Sequence, residues 1–110
     1  MKKEHLDNMT KGWFVGGFSP TAFSTQDVEV GVKRYVQGDK EAAHYHSIAH
    51  EITLVLEGKI RICGHILGPG EIIVIEPEEV SAFEALTDAR IVVVKSPGAL
   101  NDKYMAYLSD

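Results

Sequence analysis

Several scarcities in this chain exclude whole classes of protein before any motif is considered. Cys63 is the only cysteine, so no internal disulfide can form, and a reducing compartment, the cytoplasm, is the expected setting. Lys2-Lys3 and Lys33-Arg34 are the only basic doublets, and the formal net charge is −5. Nucleic-acid binders need clustered Lys and Arg on one face, so no nucleic-acid partner is expected. No apolar run approaches the roughly 18 residues of a membrane helix, and no membrane partner is expected. The segment Met1–Asn8 is charged and polar with no apolar stretch behind it, unlike a signal peptide. Repeats and low-complexity tracts are also missing, and no linker divides the 110 residues, which read as one domain. That length buries a core without help from disulfides or a structural metal.

What is present is alternation. Asp27–Val36 reads D-V-E-V-G-V-K-R-Y-V, with Val28, Val30 and Val32 on one face and Glu29, Lys33 and Tyr35 on the other. A turn at Gly38-Asp39 leads to a histidine-bearing strand. Ile52, Leu54 and Leu56 then alternate with Glu51, Thr53 and Val55. Glu57-Gly58 reads as a hairpin turn into Lys59–Cys63, and Gly64-His65 and Gly68–Gly70 as further corners. Ile72–Ile75 is apolar enough for burial on both faces. Strands follow at Val80–Leu86 and Arg90–Lys95, and Pro97-Gly98 ends the array. Asn101 or Asp102 is placed to cap a short C-terminal helix carrying Tyr104, Met105, Tyr107 and Leu108. Near the start, Met1–Lys11 reads as a polar tail. Gly12–Phe18 reads as a short bent strand, with Trp13 and Phe14 as a core or subunit anchor. Many short strands with turns every eight to ten residues indicate an all-β antiparallel sandwich or barrel.

Chemistry concentrates between Gly38 and Gly58. His44 and His46 share one face of an extended strand while Tyr45 takes the other, and a turn near Ser47–Ala49 brings Glu51 back beside them. Two imidazoles and a carboxylate converging from neighbouring strands make either a metal site or an acid–base pair. His50 has the wrong parity to join them, and His5 and His65 read as solvent-facing. Glu76, Glu78 and Glu79 read as a solvated turn, and Cys63 as a small apolar filler.

The full spacing, Gly38, five residues, His44-x-His46, four residues, Glu51, six residues, Gly58, resembles the first signature of the cupin family. The resemblance runs from about Val28 to Val94 and implies a double-stranded β-helix, or jelly-roll, barrel with its core at about residues 28–96. The family's second signature begins at Gly70 and then departs. Glu76 stands where the proline usually is, Glu78 where the glycine is, and Ser81 where a third histidine is.

Metal-binding cupins use three histidines and a glutamate, so the resemblance implies His44, His46 and Glu51 as ligands of a divalent metal (Fe, Mn, Ni or Zn) and no fourth ligand. It further implies that Ser81 points into the barrel with Phe83 and Ala85, and Tyr35 is a candidate for the same cavity. Some cupins isomerise nucleotide-linked sugars without metal, with histidines of the first motif as acid and base. Three functions follow: a metal-dependent enzyme acting on a small polar organic ligand, a metal-free isomerase or epimerase using His44 and His46, and a non-catalytic small-molecule-binding module. By analogy with small cupins, a homodimer paired through the N-terminal strand at Trp13-Phe14 is expected.

Overall fold

The computed structural model describes residues 1–99 and 101–106. A short 3-10 turn at Leu6–Asn8 precedes ten strands: β1 (Trp13–Val15), β2 (Glu29–Tyr35), β3 (Lys40–Tyr45), β4 (His50–Glu57), β5 (Ile60–Ile62), β6 (His65–Leu67), β7 (Ile72–Ile75), β8 (Ser81–Ala85), β9 (Ala89–Ser96) and β10 (Tyr104–Met105). They form two five-stranded antiparallel sheets, ordered β1-β2-β9-β4-β7 and β10-β3-β8-β5-β6. Consecutive strands often fall in opposite sheets, as in a double-stranded β-helix. Val55, Ile60, Ile62, Leu67, Ile75, Phe83, Ala85, Ala89, Ile91 and Val93 fill the space between the sheets. Among the described residues no helix is long and apolar enough to cross a membrane.

Several sequence expectations are corrected. Tyr104 and Met105 pair with Tyr45 and His44 as a strand, not a helix, because the open edge of β3 takes up their backbone groups. Tyr107 and Leu108 lie outside the described residues. Glu57-Gly58 is not a hairpin, since β4 and β5 belong to different sheets. Alternation in two flanking strands does not reveal whether they pair with each other. Gly58 carries the crossing at φ +82°, where a Cβ would collide with the Asp88 carbonyl oxygen. The corner at His65 is itself a strand, β6. Cys63 is exposed at φ +52°, a turn position and not a packing position.

The largest correction concerns the faces of the first sheet. Glu29, Gly31, Lys33 and Tyr35 of β2 point inward, and Val30 and Val32 point away. The inner face must accommodate the Trp13 ring, which lies against Gly31 at a distance that leaves no room for a Cβ. Likewise β7 is an edge strand buried on one face only, with Ile72 and Val74 exposed.

Candidate metal centre

His44 lies at the end of β3 in one sheet with His46 just past it, and Glu51 lies at the start of β4 in the other. The turn through Ser47–Ala49 folds them together. A register shift in β3 between Glu41 and His44 places one extra residue against β8. This bulge lets Glu41 and His44, which a regular strand would send to opposite faces, line one cavity. It also turns the Ala42 carbonyl toward His44, whose Nδ1 lies 2.9 Å from that oxygen.

Both imidazoles are 5% exposed or less, and their rings meet edge to face at 5.5 Å. His46 Nδ1 lies 2.7 Å from the main-chain oxygen of Asp102, and its Nε2 lies 2.9 Å from Glu51 Oε2. A carbonyl oxygen only accepts, so the Nδ1 of each ring carries the proton and donates. Each Nε2 is thereby left as a lone pair in the neutral ring. For His46 that lone pair would face a carboxylate oxygen, so a cation must lie between them, either a proton or a metal ion. With a proton the pair is an imidazolium–carboxylate bridge. Its bond to Glu51 raises the His46 pKa against the opposing effect of burial. Burial pushes the Glu51 carboxyl up, but contact with His46 and the charge of Lys95 hold it below its usual range.

One nitrogen or oxygen each from His44, His46 and Glu51 fall within 4.8 Å of one another. Imidazole Nε2 and carboxylate oxygen suit a first-row divalent cation, and Nδ1–H bonds to carbonyls are how ligating histidines are commonly oriented. The residues present therefore fit a metal.

The triad opens on a cavity of about 70 Å³. Ser81 lies directly across from His44 in the β3–β8 pairing and lines this cavity with Tyr35 and Phe83. The Tyr35 ring packs on Phe83 at 4.4 Å, and its hydroxyl donates to Glu41 Oε1 at 2.7 Å. Burial, then the bond to Glu41, raises the Tyr35 pKa, so the phenol stays protonated. His50 is outside the cavity, paired with Glu76 at 3.1 Å, and His5 and His65 are exposed.

Sequence reasoning offered Asp102 only as a cap for a C-terminal helix, which is a strand instead, and missed its role here. This side chain is 5% exposed. Its carboxylate accepts from Ser47 N, Ile48 N and Ala49 N at 3.0 Å each and from Ser47 Oγ at 2.7 Å. Burial raises its pKa, but the Ser47 hydroxyl and the three amides outweigh that and lower it to about 2. Asp102 thus fixes the turn between the two histidines and Glu51 while its own carbonyl orients His46. The cavity-lining Lys33, Lys95 and Lys103 were also missed as site residues. For Lys33 a signal existed, because it shares strand parity with Tyr35; for Asp102 nothing local marks its role at the site, since its partners lie more than 50 residues away.

No family model matches the sequence, and no curated protein matches it either. Solved structures do. An uncharacterized conserved protein with a double-stranded β-helix domain from Klebsiella pneumoniae is 24% identical, with a TM-score of 0.67 over 74% of this chain and 72% of the other. An RmlC-like cupin from Shewanella frigidimarina is 18% identical, with a TM-score of 0.62 over 71% and 72%. The DMSP lyase DddQ from Ruegeria pomeroyi is 21% identical, with a TM-score of 0.68 over 86% of this chain and 50% of its own. With the strand order above, these likenesses define the class: the chain has the double-stranded β-helix fold of the cupins.

Proposed function

We propose that the barrel binds one divalent metal through His44, His46 and Glu51 and acts as a metal-dependent enzyme on a small polar organic ligand. The observation that carries this reading is that one ring nitrogen from each histidine and one Glu51 carboxylate oxygen lie within 4.8 Å of one another, with each Nδ1 already committed to a carbonyl. A metal held by three protein ligands supplies a Lewis acid with positions open to the ligand. Around it, Ser81 offers a hydroxyl beside His44, and Phe83, Ile91 and Val93 give the cavity part of an apolar wall. That one neighbour in fold is a lyase agrees with chemistry in such a pocket. Metal analysis of untagged protein, before and after reconstitution with Fe(II), Mn(II), Ni(II) and Zn(II), tests the reading. Near-stoichiometric metal is expected, and failure to load any of the four overturns it.

The direct 2.9 Å contact of His46 with Glu51 favours a second reading, a metal-free isomerase or epimerase of a sugar-like carbonyl compound. There the imidazolium–carboxylate pair would move the proton next to the carbonyl. Turnover of keto-sugar nucleotides by metal-free protein, abolished in His46→Asn, would select it over the first.

We also propose that the chain pairs with itself, through the outer face of the first sheet instead of Trp13-Phe14. Two cross-strand rows there are wholly aliphatic: Val30, Val94, Ile52 and Val74, then Val32, Val92, Leu54 and Ile72. Ile72 and Val74 are 61% and 51% exposed. Polar rows close both ends, with Ser96, His50 and Glu76 on one side and Arg34, Arg90 and Glu57 on the other. An apolar centre with a polar rim is the anatomy of a protein interface.

A further inference from the structure

Three lysines from three separate segments line the cavity of the triad: Lys33 from β2, Lys95 from β9, and Lys103 from the stretch before β10. Among the described residues, none has a carboxylate within ion-pair distance. In a chain of net charge −5, this is a local reversal of sign. The other charged residues of the cavity are Glu41 and Glu51. Both keep their charge and offset part of the lysines', but the first is engaged by the Tyr35 hydroxyl and the second by His46, and neither forms an ion pair with a lysine.

The ammonium groups are drawn together. Lys33 Nζ and Lys95 Nζ lie 4.6 and 4.9 Å from the centre of the same Trp13 ring. The electron-rich ring partly offsets their mutual repulsion. Lys33 Nζ also donates to the Lys11 carbonyl at 2.8 Å, which holds it in place beside that ring. Burial first, then the charges of Lys95, Lys11 and Lys103, lower the Lys33 pKa, although Glu41 acts the other way. Lys95 is near enough to His46 and Glu51 for its charge to bear on both. Cations without an ion-pair partner around a small cavity cost stability through repulsion and desolvation, and a bound anion offsets that cost.

We infer that the ligand of this pocket is a small organic anion whose carboxylate is received by Lys33, Lys95 and Lys103 while its remaining polar atoms reach His44, His46 and Glu51. The inference rests on the triad being the ligand centre. No arginine lines the cavity to offer the bidentate fork typical of phosphorylated ligands.

Malonate and its uncharged diamide, malonamide, serve as probes. Both are titrated calorimetrically into metal-free and Mn(II)-loaded protein, as wild type and as Lys33→Met, Lys95→Met, Lys103→Met and the charge-preserving Lys95→Arg. Malonate is expected to bind at least about tenfold more tightly than malonamide, and to weaken as salt is added. Each methionine variant should lose about fivefold or more of malonate affinity with malonamide unaffected, and Lys95→Arg should retain most of it. Equal affinity for the two probes, or malonate binding unchanged in all three methionine variants, overturns the inference. The two readings fail separately. Lysine-dependent malonate binding to a protein that loads no metal refutes the metal and leaves the anion site standing. Metal loading with lysine-independent malonate binding does the reverse.

Discussion

His46 donates its Nδ1–H to the main-chain oxygen of Asp102 at 2.7 Å, across 56 positions of sequence. The carboxylate of that same Asp102 holds the turn that carries the chain from His46 to Glu51. One residue near the end of the chain therefore orients a candidate ligand and sets the distance to its partner.

Replacing Asp102 with alanine removes the acceptor for three backbone amides and one hydroxyl, leaving donors in a buried turn without partners. Asp102→Ala is expected to lower unfolding stability by about 3 kcal/mol and metal affinity by about tenfold or more. Urea unfolding and chelator competition measure the two. Unchanged values for both would mean the clamp is incidental.

The same carboxylate sets an acid limit. Its pKa is lowered from 3.8 to about 2 in the folded chain. The stabilisation from ionised Asp102 is therefore complete above pH 3.8 and is lost as pH falls through about 2. The stability difference between wild type and Asp102→Ala should be constant at neutral pH and narrow in that acid window. A difference that stays constant down to pH 2 contradicts the shift.

Much of this was legible in the sequence, for identifiable reasons. Strand periodicity marks β2, β4, β8 and β9, and the Gly38–Gly58 spacing marks the double-stranded β-helix with His44, His46 and Glu51 at its mouth. Periodicity separates two faces but does not say which is inside. Val30 and Val32 read as the buried side, yet Gly31, Lys33 and Tyr35 face inward because the barrel encloses a polar cavity and the Trp13 ring. Nor does periodicity distinguish an edge from a central strand, so β7 read as doubly buried. Asp102 and the strand at Tyr104–Met105 depend on pairing with β3 and its turn, far away in sequence, and leave no local pattern.

Ser81 offers a direct test of the metal reading. It lies opposite His44 and is 7% exposed at the cavity wall. Ser81→His places a third imidazole beside the triad. Metal affinity is expected to rise by about tenfold or more, measured against a competing chelator. No gain in a folded variant would place the metal, if bound, elsewhere.

Gly58 and Gly38 separate two kinds of glycine requirement. Both have positive φ, +82° and +93°, but a Cβ at Gly58 meets the Asp88 carbonyl oxygen whereas one at Gly38 meets nothing within 4 Å. Gly38→Ala should cost about 1 kcal/mol, the backbone penalty alone. Gly58→Ala should cost at least about 2 kcal/mol more, because the crossing between sheets must shift. Equal costs by thermal unfolding would show that the crossing relaxes freely.

The outer face of the first sheet makes a prediction about assembly. Four strands at about 4.8 Å and four rows at about 6.8 Å give a face of roughly 500 Å² in projection. Side-chain relief brings its accessible area toward the about 800 Å² per partner that a stable interface buries. Ile72 and Val74 lie on the edge strand of that face, with Leu54 and Ile52 beside them. Their side chains point away from the cavity, so charge placed there should leave the triad undisturbed. Ile72→Lys combined with Val74→Lys is expected to convert a dimer to a folded monomer that still loads metal, by light scattering and metal analysis. A wild type that is monomeric at micromolar concentration removes the proposal. A dimer that survives both lysines moves the interface elsewhere, with the half-buried edge strand containing Trp13-Phe14 the next surface to test.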